Sequence, residues 1–230
     1  MKNFWGYVSN EEFSVGCTGQ TVYLYDKDGN ELKKFKALIY AYTSMISPDG
    51  SLFVVKSGDG RLAVYSLETQ SLIKKFRFSK VDGAQDNGFC FSPDGKLFFN
   101  IECHVEGLHT AVSVYDTSNF SLIHRALYDD NIFINTIEYD CTTNTYYVLG
   151  FARNDTRVIN NGFVAKYENF EITDTVEFSI EEYEFLRDYK RLELFGFTRK
   201  AYDWSYIACK FEELGTFNIT LGKTFEIFNK

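Results

Sequence analysis

The chain has 230 residues, 45% of them hydrophobic and 18% aromatic, which is ample for one domain with a sizeable core. Its formal net charge of −8 disfavours general nucleic-acid binding, because phosphate contacts require clustered Lys and Arg. The five cysteines form no Cys-x-x-Cys pair, and we expect reduced thiols. With no secretory signal and no apolar run of the roughly 18–20 residues of a membrane helix, we expect a cytoplasmic protein without membrane contact.

Both prolines of the chain lie in the same four-residue word. Ser47-Pro48-Asp49-Gly50 recurs 45 residues later as Ser92-Pro93-Asp94-Gly95, and an apolar segment follows each copy. Proline presets the second position of a tight turn, and glycine accepts the positive φ that such a reversal requires. We therefore predict two equivalent turns, each joining the first two strands of a repeated unit.

A second marker recurs between these turns. An apolar segment with a tyrosine near its end is found at 22–26, 62–66 and 112–116, and a weaker copy at 164–168. Seven residues after each of the first three tyrosines a leucine opens another apolar segment. Each unit is therefore predicted to contain four antiparallel strands, a to d, with the turn between a and b and the tyrosine in c. The predicted units of this single domain, 1–230, are 4–36, 40–78, 87–128, 132–178 and 190–229.

Units of about 45 residues with four strands are typical of propeller blades. Strand c also carries apolar side chains on both faces, as expected for a sheet covered on both sides by its neighbours. The pattern resembles WD-repeat proteins and related bacterial propellers, although the Trp-Asp dipeptide is replaced by Tyr-Asp or Tyr-Ser. We therefore predict an all-β, five-bladed propeller of four-stranded antiparallel blades, with a two-layer β-sandwich as the alternative.

The end of the chain lacks both markers but keeps strand-like composition. We predict strands at 192–197, 205–209, 216–221 and 224–228, with Gly222-Lys223 as a hairpin turn between the last two. Before them, Ser179-Ile-Glu-Glu182 is a capping box, and apolar residues follow at three-residue steps. This predicts one short helix near 180–190, expected to be the only helix of the chain.

The long connections of the predicted blades are all of the b–c or d–a type, at 79–86, 102–109, 153–161 and 179–189. In an up-and-down blade both types emerge at the same end, which we name the long-loop face, and long loops on a rigid scaffold often carry function. Its polar residues are the candidate binding residues: Asp82, Asp86, His104, His109, Asp129, Arg153, Asp155, Arg157, Glu181 and Glu182. The structural alternative is that these loops only cap the channel.

No catalytic motif is found. Cys103, His104, His109 and Asp129 match no standard zinc spacing, so we expect no metal and no cofactor. A glycosidase would need two carboxylates about 5–9.5 Å apart, and the inner-strand candidates are Glu138 and Glu193. We predict a non-enzymatic module that binds another protein at the long-loop face, since an acidic rim with Arg and Tyr suits protein recognition. The alternatives are a lectin-like propeller, which requires exposed aromatics in several blades, and the glycosidase-like enzyme.

Overall fold

The computed structural model describes residues 4–80, 88–105, 109–129, 131–154, 159–195 and 219–229. Within these ranges sixteen strands form four separate antiparallel sheets of four strands each, and two helices follow. Each sheet uses four strands that are consecutive in the chain, so the structure confirms the up-and-down repeat. Four separate sheets also rule out the two-layer sandwich for this part of the chain.

The first two sheets have short strands. Sheet 1 contains β1 (Gly6–Ser9), β2 (Phe13–Cys17), β3 (Val22–Asp26) and β4 (Glu31–Phe35). Sheet 2 contains β5 (Ala41–Ile46), β6 (Leu52–Ser57), β7 (Arg61–Ser66) and β8 (Ser71–Arg77).

The next two sheets have longer strands, and the helices follow them. Sheet 3 contains β9 (Phe89–Phe91), β10 (Leu97–Val105), β11 (His109–Asp116) and β12 (Ser121–Tyr128). Sheet 4 contains β13 (Ile132–Asp140), β14 (Thr145–Arg153), β15 (Ile159–Glu168) and β16 (Glu171–Phe178). The helices are α1 (Ile180–Phe195) and α2 (Leu221–Phe228).

The repeated Ser-Pro-Asp-Gly words form the same turn in sheets 2 and 3. The Gly50 amide donates to the Ser47 carbonyl at 2.9 Å, and Gly50 has a φ of 70°. Gly95 repeats both the bond to Ser92 at 2.9 Å and the φ of 70°. The predicted turn and its positive-φ glycine are thus confirmed in both copies.

The sheets pack face to face through their third strands. In β7, Leu62 and Val64 contact the core shared with sheet 3, whereas Ala63 and Tyr65 contact the core shared with sheet 1. Because side chains alternate along a strand, one strand can fill two cores only if neighbours cover both faces of its sheet. This is a propeller-like arrangement of stacked sheets.

The prediction of a fifth four-stranded blade at 190–229 is wrong for the residues that the structure describes. Residues 192–195 continue α1, and 224–228 belong to α2, where strands were predicted. Gly222-Lys223 is not a hairpin turn but the first turn of α2, whose N-cap Thr220 accepts a hydrogen bond from the Lys223 amide. The predicted strand at 205–209 lies outside the described residues.

The predicted helix near 180–190 is confirmed and extends to Phe195, but it is not the only helix of the chain. The capping box forms as predicted: the Ser179 amide donates to a Glu182 carboxylate oxygen at 2.8 Å, and the Glu182 amide donates to Ser179 Oγ at 3.3 Å. Neither described helix is both long enough and apolar enough to cross a membrane.

The two helices cover the face of sheet 4 that points away from sheet 3. Tyr183 and Leu186 of α1 and Leu221 and Phe225 of α2 share a buried core with β14, β15 and β16. On its other side α1 contacts β1 and β5, the first strands of sheets 1 and 2. Helix α1 therefore connects sheet 4 to the start of the repeat, where a further blade was expected.

Candidate functional site

At the long-loop face, the b–c hairpins of sheets 3 and 4 are longer than those of sheets 1 and 2. The b and c strands of these sheets are 8 to 10 residues long, whereas those of sheets 1 and 2 have 5 or 6. The register shifts near the end of both long hairpins, between Glu102 and Val105 and between Ala152 and Arg153. These bulges increase the local twist and redirect the hairpin ends, which is a frequent feature of strands beside functional sites.

Three aromatic rings, those of Phe133, Phe151 and Tyr183, pack against one another at this face. The rings of Phe133 and Phe151 are stacked with centroids 4.8 Å apart, and Tyr183 of α1 meets Phe151 edge-on at 5.3 Å. The guanidinium of Arg153 lies over both phenylalanine rings, 5.2 and 4.9 Å from their centroids. A guanidinium held against aromatic rings is restricted before it binds an acceptor, so it loses less freedom on binding.

The structure also locates the other candidate residues of this face. The protonated Nδ1 of His109 donates to the Tyr128 carbonyl at 2.7 Å, which orients its ring at the start of β11. Asp129 and Glu181 are exposed, and Glu182 is engaged in the capping box. His104 lies near the end of β10, while Asp82, Asp86, Asp155 and Arg157 lie outside the described residues. The structure thus brings Arg153 and the first turns of α1 together, through Tyr183.

Two features of the described residues bear on metal and thiol chemistry. No group of three or more His, Cys, Asp and Glu side chains there could hold a metal ion. Cys17 and Cys90 are buried free thiols, Cys103 is buried, and Cys141 is exposed. Burial raises the pKa of Cys17 to about 12, and it also raises that of Cys90. These two thiols are therefore unreactive core residues, because the thiolate is the nucleophilic form.

A pocket of about 410 Å³ opens at the opposite end, which we name the turn face because the Ser-Pro-Asp-Gly turns form its rim. Its walls come from β5, β9 and β13, the first strands of sheets 2, 3 and 4, and from α1. Most of the lining is apolar, including Met45, Ile46, Phe91, Pro93, Ile137 and Tyr139. The volume lies within the range of small-molecule sites in proteins.

One side of this pocket carries three charged residues. The Lys190 ammonium lies 2.6 Å from Glu138 Oε2 and 2.9 Å from Glu193 Oε2. Although burial opposes its charge, the two carboxylates raise the pKa of Lys190 above its usual value. Burial raises the pKa of Glu138, and the Lys190 ammonium and the Leu221 amide oppose that rise by stabilising the carboxylate. Side-chain exposure increases from Lys190 (6%) through Glu138 (21%) to Glu193 (39%).

The sequence had singled out Glu138 and Glu193 as a possible glycosidase pair, and the structure does bring them together. Two oxygens 2.6 and 2.9 Å from one nitrogen cannot be more than 5.5 Å apart, which meets the separation found in retaining glycosidases. However, Glu138 Oε2 binds Lys190 and Oε1 binds the Leu221 amide. Both oxygens thus already have partners, and Glu138, Lys190 and Glu193 form an ion-pair cluster between β13 and α1.

The lectin alternative is disfavoured by three of the four repeated tyrosines. Tyr65, Tyr115 and Tyr167 are buried, with 0, 5 and 2% of their surface exposed. They fill the cores between successive sheets, as Tyr65 does by stacking on Phe53 with centroids 4.7 Å apart. They therefore cannot form the repeated exposed aromatic pockets that sugar binding between blades would require.

The fold places this chain among all-β proteins with a propeller-like stack of four-stranded sheets. No protein-family model matches the chain, and no curated protein matches it in sequence. Among solved structures 1145 chains match, including Kuenenia stuttgartiensis hydrazine synthase with a TM-score of 0.59 at 16% identity. That match covers 74% of this chain and 51% of the other, so this chain spans about half the length of that neighbour. At this identity the similarity concerns the fold.

Proposed function

We propose that this chain is a non-enzymatic interaction module that binds another protein through its long-loop face. The observation that carries the proposal is the Arg153 guanidinium held over Phe133 and Phe151 at the end of the long b–c hairpin of sheet 4. Arginine and aromatic residues are enriched in the central parts of protein interfaces, where a fixed side chain binds with little entropic loss.

The surroundings of Arg153 suit a polar protein partner. Glu181 and Glu182 of α1 and Asp129, which directly follows β12, are also exposed at this face, so Arg153 shares the face with acidic groups. Such a mixed rim favours specific charge pairing over general adhesion. We expect the partner to place a carboxylate on Arg153 and basic residues toward the acidic rim.

Two further features belong to the proposal. The paired Ser-Pro-Asp-Gly turns and the apolar-aromatic third strands support a distant relationship to WD-repeat-like bacterial propellers. The buried free thiols of Cys17 and Cys90 support a reducing compartment, which we take to be the cytoplasm.

The test is affinity capture from a lysate of the source cells with three forms of the full chain. These are the native chain, Arg153→Ala at the long-loop face, and the control Lys96→Ala, whose side chain is 81% exposed at the turn face. We expect one protein to be captured equally by the native and control chains and at least tenfold less by Arg153→Ala, since interface arginines often contribute about 2 kcal/mol or more.

Two outcomes contradict the proposal. Equal capture by Arg153→Ala would show that the long-loop face is not the binding surface. Capture of nothing specific by the native chain would remove the support for an interaction module. Melting curves of both variants establish that any loss of capture does not come from unfolding.

A further inference from the structure

The pocket at the turn face has properties that the proposed protein interaction does not use. It lies at the opposite end from Arg153, and its lining comes from three sheets and α1 rather than from one hairpin. Its inner strands are joined to short, hydrogen-bonded turns, in which the Ser47 and Ser92 hydroxyls bond Asp49 and Asp94. The walls of the pocket are therefore preformed, which is the usual condition of a small-molecule site.

The lining combines an apolar surface with a small, localised charge. Met45, Ile46, Phe91 and Ile137 can cover the apolar body of a ligand. Among the described residues, the charged members of the lining are Glu138, Glu193 and Lys190, so carboxylates outnumber ammonium groups there by one. This excess of negative charge lies beside low-dielectric walls, which strengthen its field.

The position of Glu193 on α1 adds to the negative potential. Glu193 lies in the last turn of α1, the end at which the helix dipole places a partial negative charge. No basic residue lies in that turn to compensate it. Glu193 is also the most exposed of the three charged residues, with 39% of its side chain accessible. Of the three charged residues, Glu193 is therefore the most accessible to a ligand.

We propose that this pocket binds a small organic ammonium ion with an apolar or aromatic body. The ammonium pairs with the Glu193 carboxylate and balances the excess negative charge, while the body packs against Phe91, Ile137 and Met45. Lys190 positions Glu193 and Glu138 and is itself occupied by them at 2.9 and 2.6 Å, so it does not attract an anionic ligand. This inference is independent of the proposed protein partner, which would bind at the other end.

The probe is 2-phenylethylamine, with 2-phenylethanol and phenylacetate as its neutral and anionic counterparts. Binding to the full chain is measured by isothermal titration calorimetry at neutral pH. We expect the amine to bind at least tenfold more tightly than either counterpart, because a charged hydrogen bond is worth about 1.5–3 kcal/mol. Added salt should weaken the amine interaction.

Two variants locate the interaction on α1. Glu193→Gln should reduce amine affinity about tenfold, since it removes the charge but keeps the shape. Glu184→Gln makes the same change at an exposed position of the same helix outside the pocket and should leave the affinity unchanged. A third variant, Met45→Ala, should weaken amine and alcohol binding alike, because both use the apolar wall and Met45 is only partly buried.

The proposal is overturned if the amine does not bind, if it binds no better than the alcohol, or if Glu193→Gln and Glu184→Gln bind it equally. Tighter binding of phenylacetate than of the amine would overturn it as well, because that result would assign the pocket to anions through Lys190. Melting curves of the variants, recorded without ligand, verify that each one is folded in the titrations.

Discussion

The ammonium of Lys190 lies 2.6 Å from a carboxylate oxygen of Glu138, and this ion pair joins α1 to the first strand of sheet 4. Both side chains are largely removed from solvent, with 6% and 21% of their surface exposed. Charges in such a position are stabilised mainly by each other, so removal of one partner leaves the other in an unfavourable environment.

We predict that Lys190→Met lowers the free energy of unfolding by about 3 kcal/mol at neutral pH, because Glu138 remains buried without its partner. The loss should be smaller at pH 5 than at pH 8. In the variant the folded-state pKa of Glu138 lies above its unfolded value, so protonation favours the folded state, and stability falls as pH rises through that pKa.

The control for this prediction is Lys34→Met. Lys34 pairs with Glu31 at 3.0 Å, but its side chain is 52% exposed, and an exposed pair of this kind contributes less than about 1 kcal/mol. Urea denaturation of both variants at the two pH values gives the comparison. Equal losses for the two variants would contradict a structural role of the Lys190 pair.

A second prediction concerns the contact between α1 and β15. A methyl group at Gly162 would overlap Cβ and the ring of Tyr183 and would also meet the ring of Phe178. Gly162→Ala should therefore destabilise the chain by about 2–3 kcal/mol, because the helix must move away from the sheet. Gly58→Ala is the matched control, since its nearest neighbour there, Tyr40 Cβ at 3.7 Å, is at an ordinary distance. Its melting temperature should not fall.

The four repeated sheets could be predicted from the sequence because each carries local markers. Each marker identifies an element of its own unit, as the Gly50 turn, the Tyr65 strand and the leucine that opens β8 do in sheet 2. The alternation of hydrophobic residues then predicts which face of the sheet each side chain occupies. The end of the chain differs. Phe225 and Ile227 give α2 the composition of a strand, and a short apolar run does not distinguish a strand from a buried helix. Its helical form depends on Thr220, which donates to Asp140 of sheet 4 at 2.8 Å.

The same limit applies to the turn-face pocket. Glu138 and Glu193 could be singled out as inner acidic residues, but Glu193 was assigned to a predicted strand at 192–197. The role of Lys190, at the end of the predicted helix, was missed. The available signal was the i,i+3 spacing of Lys190 and Glu193, which places both on one side of a helix. The contact of that helix with β13 is a long-range tertiary contact, and local sequence patterns do not predict such contacts.

A third prediction tests the paired turns. Gly50 and Gly95 both have a φ of 70°, a conformation that β-branched residues adopt only with strain. Gly50→Val and Gly95→Val should each lower the free energy of unfolding by about 1–2 kcal/mol. Gly50→Asn and Gly95→Asn should lower it less, because asparagine tolerates the left-handed region. Equal stability of the valine and asparagine variants in denaturant titrations would contradict this explanation.

A fourth prediction concerns alkaline pH. Burial raises the pKa of Tyr128 to about 12 and also raises the pKa values of Tyr65, Tyr115, Tyr167 and Tyr183. In the unfolded chain tyrosines ionise near pH 10. The folded state therefore retains protons that the unfolded state releases, and stability is present below pH 10 and is lost as pH rises above it.

The raised pKa of Lys190 acts in the same direction, since its ion pairs are complete below the unfolded lysine value and are lost as pH rises through the folded one. We therefore expect the melting temperature to fall steeply between pH 10 and pH 12, and most tyrosinate absorbance to develop together with the loss of the circular dichroism of the sheets. If the buried tyrosines ionised while the sheets remained intact, the solvent would have access to the cores between sheets. That result would contradict the close packing of Tyr65 on Phe53 and of its counterparts in the later sheets.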